Sequence, residues 1–353
     1  MDYITIKGYK SIKDQTLILK PINLLIGSNG SGKSNFLSFF QFLKEIYRRN
    51  LGEYTALTGS DRILHKGFET TDTISFRMEF NNGKNGYSVI MKMGDNRFVI
   101  TDERLIFKGD DGTYIDKNDY EARITITDNF RAKYVKEYLN GLMKYHFHDT
   151  SGNSPFNTTS NVENDIYILY ENGSNLAAFL WNIQEEHPKH YRRIVETVKS
   201  IAPFFHDFYL NPNKNGIIRL QWQDKYSSTV YGVNDLSDGT LRFIALATLF
   251  LQPSLPDTII IDEPELGLHP FAIAKLSGLI QSAAANNCQI IAATQSADLL
   301  GFFTPEDIVT VDQIEGETQF NRLDPDKYKE WLDVYTLDEL WRRNIIANGQ
   351  PNY

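Results

Sequence analysis

The sequence predicts an α/β protein with a mostly parallel core sheet, an antiparallel β-lobe, a helical and β insert, and no coiled coil. Three observations carry this reading. An apolar run, Ile22–Ile26, leads through Gly27-Ser28-Asn29-Gly30-Ser31-Gly32-Lys33-Ser34 into an amphipathic run, Asn35–Tyr47. Strand, glycine-rich turn and helix in that order are what a phosphate-binding loop needs. Strands and helices alternate from Leu236 to Asp312, as a parallel sheet requires. Between these stretches, Thr73–Phe80 sets Ile74, Phe76, Met78 and Phe80 against Ser75, Arg77 and Glu79, the pattern of a half-buried antiparallel strand.

Composition narrows the function classes. The chain has 353 residues, 41% of them hydrophobic and 13% aromatic, enough for a substantial core. The net charge of −9 leaves no overall basic field for nucleic acid, so contact with DNA would be local or made through a partner. The single cysteine, Cys288, opens an apolar strand-like run. It cannot form an internal disulfide and reads as a small buried apolar residue. Met1-Asp2-Tyr3 leads into a strand with no signal-peptide pattern. No run approaches the roughly 18 apolar residues of a membrane span, so the protein is expected to be cytoplasmic, without a membrane part.

Taken in order, Tyr3–Lys7, Thr16–Leu19 and Ile22–Ile26 read as short strands. Gly8-Tyr9-Lys10-Ser11 reads as a loop, with Tyr9 either near a nucleotide base or an ordinary loop aromatic. In the glycine-rich turn, small residues let backbone N–H groups point at phosphate oxygens, and the helix N-terminus adds its positive end. Lys33 can reach the β- and γ-phosphates, and the Ser34 hydroxyl can ligate Mg²⁺. Asn50–Thr71 is polar. After the alternating strand, Asn82-Gly83 and Asn85-Gly86 mark a turn into Tyr87–Met93, and Phe98–Thr101 and Arg104–Phe107 extend a meander to about residue 127.

Arg131–Met143 has helical patterning, and His146, His148 and Asp149 form a candidate metal trio, with packing or loop hydrogen bonding as the other reading. Ser151–Glu163 reads as a loop. Gly173-Ser174-Asn175 caps a helix over Leu176–Glu185, and Pro188 opens the next, Lys189–Ile201. Phe208–Leu210, Ile217–Trp222 and Thr229–Val233 read as strands, and no sustained heptads occur over residues 72–233.

The second half of the pattern carries more chemistry. Leu236-Ser237-Asp238-Gly239-Thr240 precedes an apolar helix, Leu241–Leu251, so Ser237 and Gly239 sit at a second anion-binding end. Thr258–Ile261 is a buried-strand run that ends in Asp262 and Glu263. Carboxylates at a strand's carboxyl end stand where open α/β sheets bind ligands. Asp262 is placed to hold Mg²⁺ through water and Glu263 to activate an attacking water. Gln289–Ala293 is a further strand whose polar end would lie beside Asp262, letting Gln295 reach the γ-phosphate or the lytic water. Ile308–Val311 is the next strand.

This set resembles the ABC-type ATPases of the RecF, SMC and OLD (overcoming lysogenization defect) group. Gly27–Ser34 match Walker A, Leu236–Thr240 the signature, and Ile259–Glu263 Walker B. The string from Asp262 to Pro270, Asp-Glu-Pro-Glu-Leu-Gly-Leu-His-Pro, is similar to the DEPExxLHP pattern of RecF- and OLD-like ATPases. The middle is more loosely similar to the insert of small OLD-like AAA ATPases, through Tyr145–Thr150 and Gly173–Leu176. The resemblance implies a P-loop NTPase of the ABC head type that uses ATP and Mg²⁺. Its core would be residues 1–71 and 234–322, its insert 72–233 and a helical tail 323–353. It further implies a homodimer in which ATP on Lys33 and Ser34 of one subunit is capped by Ser237 and Gly239 of the other, about a two-fold axis.

The pattern departs from the family in three places. Gln295 stands where the family has its switch histidine, and a glutamine cannot become a cation, so slow hydrolysis is expected. No glutamine lies between Gln41 and Gln184 to serve as the Q-loop residue, and His65 is the nearest substitute. No acid cluster of a Toprim nuclease follows Val311, so no nuclease is expected within this sequence. The implied function is an ATP-driven switch for a separately encoded effector, such as a Toprim-type nuclease, in bacterial defence against phage. A RecF-like repair ATPase that binds DNA directly is the alternative. A transporter ATPase subunit is disfavoured by Glu265–Pro270, the missing glutamine and the large insert.

Overall fold

The computed structural model describes residues 1–94, 97–116 and 118–346. The chain divides into two compact units, Met1–Leu142 with Ile291–Tyr353, and Met143–Ile290.

The first unit opens with strands β1 (Tyr3–Tyr9), β2 (Ile12–Ile18) and β3 (Ile22–Ile26), followed by helix α1 (Lys33–Tyr47). Two short helices follow, α2 (Leu51–Thr58) and α3 (Ser60–Ile63). Then come β4 (Thr73–Phe80), β5 (Asn85–Gly94), β6 (Arg97–Phe107), β7 (Thr113–Asp116) and α4 (Ala132–Asn140). Strand β8 (Leu142–Tyr145) carries the chain into the second unit.

That unit contains β9 (Ser160–Asn161), α5 (Leu176–Glu186), α6 (Pro188–Ile201), β10 (Phe205–Phe208), β11 (Ile217–Ile218), β12 (Gln221–Asp224) and β13 (Val230–Gly232). It ends with α7 (Asp238–Leu251), β14 (Thr258–Asp262) and α8 (Pro270–Ala285). Strand β15 (Gln289–Thr294) returns the chain to the first unit, which finishes with α9 (Ala297–Leu300), β16 (Ile308–Ile314), β17 (Glu317–Arg322), α10 (Pro325–Leu332) and α11 (Leu337–Arg342).

In the first unit, β2-β1-β4-β5-β6-β7 form one sheet, and neighbouring strands in it pair antiparallel. The first two strands and the meander after the glycine-rich loop therefore share one sheet. The other sheet of this unit runs β17-β16-β3-β15. There β16 is parallel to β3, pairing Val309 with Leu25, and antiparallel to β17. All five residues of β3 are buried, as expected of a strand covered on both faces.

Helix α1 is held by aromatic contacts along its length. Phe36 packs on Phe320 of β17, and Phe39 packs on Phe76 of β4 and on Tyr9 at the end of β1. Phe42 stacks on Tyr9 and reaches Tyr54 of α2. A helix apolar on most sides is a core helix.

In the second unit α7 has the same character, with Thr240 to Leu251 all buried. Small sheets β10-β12-β13 and β11-β9 accompany it, and β14 neighbours β8. The longest described helix, α8, has 16 residues, and no described helix is long and apolar enough to cross a membrane.

Several local expectations are corrected. Gly8-Tyr9 are strand, not loop, because β2 begins at Ile12 and pairs it with Tyr9 across a two-residue turn in which Lys10 has φ 47°. Strand β2 is a sheet edge, where polar Lys13-Asp14-Gln15 are tolerated, and this hid it from an apolar-alternation reading. Tyr9 is 0% exposed. Its hydroxyl lies 3.0 Å from Ser38 Oγ, and burial pushes its ionisation far above the usual tyrosine range. It is a core residue, closed off from any nucleotide base. The polar stretch 50–71 contains α2 and α3, and the two segments expected at Phe98–Thr101 and Arg104–Phe107 are one strand, β6, with an irregularity opposite Ile90/Met91. The strand expected over Phe208–Leu210 lies earlier, at Phe205–Phe208, and Ile217–Trp222 divides between β11 and β12. In the tail, Tyr328, Leu337 and Leu340 are buried, whereas Trp331 is exposed.

The core placement of Tyr9 is testable. Tyr9→Phe should lower unfolding stability by about 1 kcal/mol, the usual size of one lost hydrogen bond, and leave ATP affinity unchanged. A large loss of affinity at near-normal stability would return Tyr9 to the nucleotide site.

Candidate functional site

Residues Gly27–Ser34 join β3 to α1 in the first unit. Two of their three glycines, Gly27 and Gly32, are demanded by close packing. A Cβ on Gly27 would lie 2.1 Å from the carbonyl oxygen of Val311, and one on Gly32, at φ 108°, would lie 1.9 Å from Thr318 Oγ1. Thr318 Oγ1 also donates to the Ser31 carbonyl at 3.1 Å and lies 2.7 Å from the Ser11 hydroxyl. The hairpin of β16 and β17 is thus the floor under the loop, a role for Thr318 that no motif announced.

Lys33, 5% exposed, donates from Nζ to the carbonyls of Gly27 at 2.7 Å and Ser28 at 2.9 Å. Ser31 Oγ is buried with no hydrogen-bond partner, an orphan that a phosphate oxygen would satisfy. Asn29 and Gly30 are exposed at the loop's tip, and Ser34 is exposed on the first helical turn. That turn carries no acidic residue, so the positive end of the helix is not neutralised there. The loop therefore fits a phosphate chain. Beside it an open cleft of about 660 Å³ is lined by Lys10, Ser11, Asn35, Arg62 and Lys66, among others.

Two other expected residues lie in this unit. Gln295 is exposed directly after β15, a neighbour of β3 in the sheet. His65 is buried, and its Nδ1 donates to the Lys10 carbonyl at 2.7 Å. It braces the turn between β1 and β2, which accounts for its ring without a nucleotide.

The second unit brings the acids together. Asp262 ends β14, and Glu263 follows with φ 39°, a conformation uncommon for a residue with a side chain. Burial, then the neighbouring Glu263 charge, holds the Asp262 carboxyl above its ordinary range, while His148, Lys144 and His146 pull the other way. Lys144 is held below its ordinary range by burial, opposed by Asp262 and Glu171. His148 donates from Nε2 to the backbone carbonyl of Asp262 at 2.8 Å.

The candidate metal trio does not assemble. The rings of His146 and His148 stack at 4.4 Å, and the Asp149 carboxylate accepts from the Ser151 N–H and hydroxyl. Among the described residues no group of three His, Cys, Asp or Glu side chains could hold a metal ion. These histidines are instead the flank of Asp262, and their spacing to it is invisible in one dimension.

Ser237 caps α7, its Oγ accepting from Thr240 N–H at 3.2 Å. A Cβ on Gly239 would lie 2.4 Å from the Gly267 carbonyl, so the turn before α7 and the loop after Glu263 touch and leave room only for glycine. A cleft of about 470 Å³ opens there, lined by Ser237, Gly239, Gly267 and His269 among others. His269 itself caps α8, accepting from Phe271 N–H at Nδ1.

A glycine loop on a buried helix, a strand ending in paired acids and a capped turn opening a second buried helix define the class of P-loop ATPases. Residues 22–301 match the family described as "AAA domain, putative AbiEii toxin, Type IV TA system", and the chain belongs to that family.

Among solved structures the fold is similar to an SMC head bound to the C-winged helix domain of ScpA, at 17% identity over 93% of this chain and 99% of that one, with a TM-score of 0.63. It is also similar to an Smc head with an extended coiled coil bound to the C-terminal domain of ScpA, derived from Pyrococcus furiosus, at 14% identity, 94% and 98% coverage and a TM-score of 0.56. The SMC head domain from Thermotoga maritima follows at 12% identity, 92% and 98% coverage and 0.50. At such identities the likeness establishes the fold, the expected α/β head with parallel and antiparallel strands. A curated protein, urease accessory protein 2 of Cryptococcus neoformans var. grubii, is 32% identical over 111 residues, which are 30% of this chain and 8% of that protein.

The environment of Asp262 gives a prediction with a definite sign. Its carboxyl is held above the unfolded value, so above that range the charged form opposes folding. Asp262→Asn should therefore raise the thermal midpoint of the nucleotide-free protein at neutral pH. The gain should vanish as pH falls through the folded-state titration of the carboxyl, and Mg²⁺-dependent ATP binding should be lost. A lower midpoint at neutral pH would contradict the environment described.

Proposed function

We propose that this protein is an ATP-binding and slowly ATP-hydrolysing homodimeric switch that controls a separately encoded effector. The observation that carries the reading is the loop itself: glycines that packing requires, a buried Ser31 hydroxyl with no partner, and Lys33 held in the loop by two carbonyls.

In this reading the backbone N–H groups of residues 27–34 and the Lys33 ammonium bind the β- and γ-phosphates. Ser34 and Asp262 would hold Mg²⁺ as hard oxygen ligands, and the ion would neutralise phosphate charge. Glu263 accepts a proton from the water whose oxygen attacks the γ-phosphorus, while the bond to the β-phosphate oxygen breaks and ADP leaves. Its positive φ is strain of the kind found where a functional side chain must be aimed. Gln295 orients that water by hydrogen bonding but cannot carry positive charge, hence the slow turnover.

Ser237 and Gly239 lie at the exposed start of a long buried helix and would cap ATP bound to the second subunit. Closing two such sites would turn ATP binding into subunit closure, and hydrolysis into release. By resemblance to small OLD-like ATPases the effector would be a Toprim-type nuclease acting in defence against phage. Two similar heads, described as bound to a domain of ScpA, support a head that works through a partner protein. A RecF-like repair ATPase acting on DNA itself is the rival reading, and the net charge of −9 counts against it.

Two predictions follow from this scheme. Glu263→Gln should bind ATP, lose turnover by roughly 10²–10⁴-fold and accumulate as an ATP-bound dimer in sizing experiments. That trapped form should retain or release the product of a neighbouring gene differently from the nucleotide-free protein. Turnover at the parent rate would remove Glu263 as the base, and host activity with no partner recovered in either state would favour direct action on DNA.

The cross-subunit arrangement is tested by mixing. Lys33→Ala and Ser237→Arg proteins should each be inactive alone, whereas their heterodimer contains one intact site and should recover up to about half of the parent activity per dimer. Heterodimers that form without any activity would exclude capping in trans.

A further inference from the structure

Arg242 is a buried cation that neither the motifs nor the scheme above employ. It sits just over one turn into α7 from the Ser237 cap and is 6% exposed. Its guanidinium donates to backbone carbonyls of two chain segments: from Nε to Phe147 at 3.1 Å, from Nη2 to His148 at 3.0 Å, and from Nη1 to Leu266. Burying a guanidinium is costly, and here burial lowers its proton affinity, against the pull of Asp238 and Glu263. Apolar side chains would fill a helix core at less cost, so the position calls for an explanation.

The two segments are the ones that flank the acid pair. Leu266 lies in the loop that follows Glu263, and His148 donates to the carbonyl of Asp262. Gly267, next to Leu266, has φ 75°, and a Cβ there would come within 2.9 Å of Arg242 Nη1, so the loop is folded directly against the guanidinium. The same loop touches the start of α7, where a Cβ on Gly239 would strike the Gly267 carbonyl.

We propose that Arg242 is a positioning residue that couples the Ser237–Gly239 turn to Asp262 and Glu263. It does so by clamping the segment at Phe147–His148 and the loop at Leu266 to one point on α7. A rigid helix carries any shift of its capped end to Arg242 within about 8 Å. The planar fork then passes that shift to both segments at once. Engagement of the turn by a phosphate would thereby re-aim the acids of the same subunit. Lysine cannot replace it, because an ammonium is a compact point donor and lacks the fixed, planar set of N–H directions that reaches separated carbonyls.

The kinetic consequence rests on the ATPase reading, whereas the clamp does not, and the test separates them. In full-length Arg242→Lys, backbone amides of residues 147–151 and 265–268 should exchange hydrogen at least about 10-fold faster than in the parent, as local opening becomes easier. Exchange elsewhere in α7 should stay within about 3-fold of the parent, showing that the helix itself is intact. In Mg²⁺ and ATP, kcat should fall about 10²-fold, the scale of an ångström-size misplacement, with KM for ATP within about 3-fold, since binding through the Lys33 loop is untouched. Arg242→Gln should show the same segmental exchange with a larger loss of overall stability.

Parent-like exchange in either segment of Arg242→Lys would overturn the clamp. So would a kcat restored by lysine, since a merely space-filling cation would be rescued by it. If the parent protein itself hydrolysed no ATP, the ATPase reading would fall, and the exchange measurement alone would still decide the clamp.

Discussion

A glycine-rich loop cannot hold its own shape, because glycine loses more conformational freedom on ordering than any other residue. Here the order is imposed from outside, by the burial of α1. Phe36 is pinned by Phe320, Phe39 by Phe76 and Tyr9, and Phe42 by Tyr9 and Tyr54. Each such pair contributes about 0.5–1.5 kcal/mol beyond the area it buries, and together they fix the position and tilt of the helix start. Lys33 and Ser34 are the first residues of that helix, so their placement follows from rings up to three turns away. The β16–β17 hairpin completes the constraint, since Val311 and Thr318 stand where any side chain on Gly27 or Gly32 would have to go. The shape of the loop thus depends on the packing around it.

The second unit solves a different problem, that of keeping two adjacent carboxylates partly buried. Burial first, and the neighbouring Glu263 charge second, raise the titration of Asp262. The surroundings answer with Lys144, with the stacked rings of His146 and His148, and with Arg242 bound to neighbouring carbonyls. Glu263 adds backbone strain at a positive φ. Like charges, a half-buried lysine and a strained peptide all lower stability, and they are concentrated at one strand end. Such local conflicts are expected where a chain gives up stability for chemistry.

The two buried helices have related designs with opposite emphasis. Helix α1 begins at a left-handed glycine, without a side-chain cap. Helix α7 begins at Ser237, whose hydroxyl accepts from the Thr240 N–H. The first start is open to an anion from the outset. The second must exchange its internal cap for an external oxygen, or recruit the remaining N–H groups. That difference suits the proposed roles, a loop that takes the nucleotide first and a turn that engages it only when the subunits close.

The sequence by itself determined the parts whose chemistry is local. Gly27–Ser34, the acids after an apolar strand, and the Ser237 turn before an apolar helix each depend on residue types at fixed short offsets along one stretch of backbone. The antiparallel meander was legible for the same reason, since alternation is a property of one strand. Only the tertiary structure decided the rest. It buried Tyr9, joined β1 and β2 to the meander, and made a buried brace of His65. It set Thr318 under Gly32, His148 against Asp262, and Arg242 across Phe147, His148 and Leu266. Those contacts join positions far apart in the chain, and a side chain that will meet a distant backbone carbonyl leaves no periodicity or spacing in its own neighbourhood to announce it.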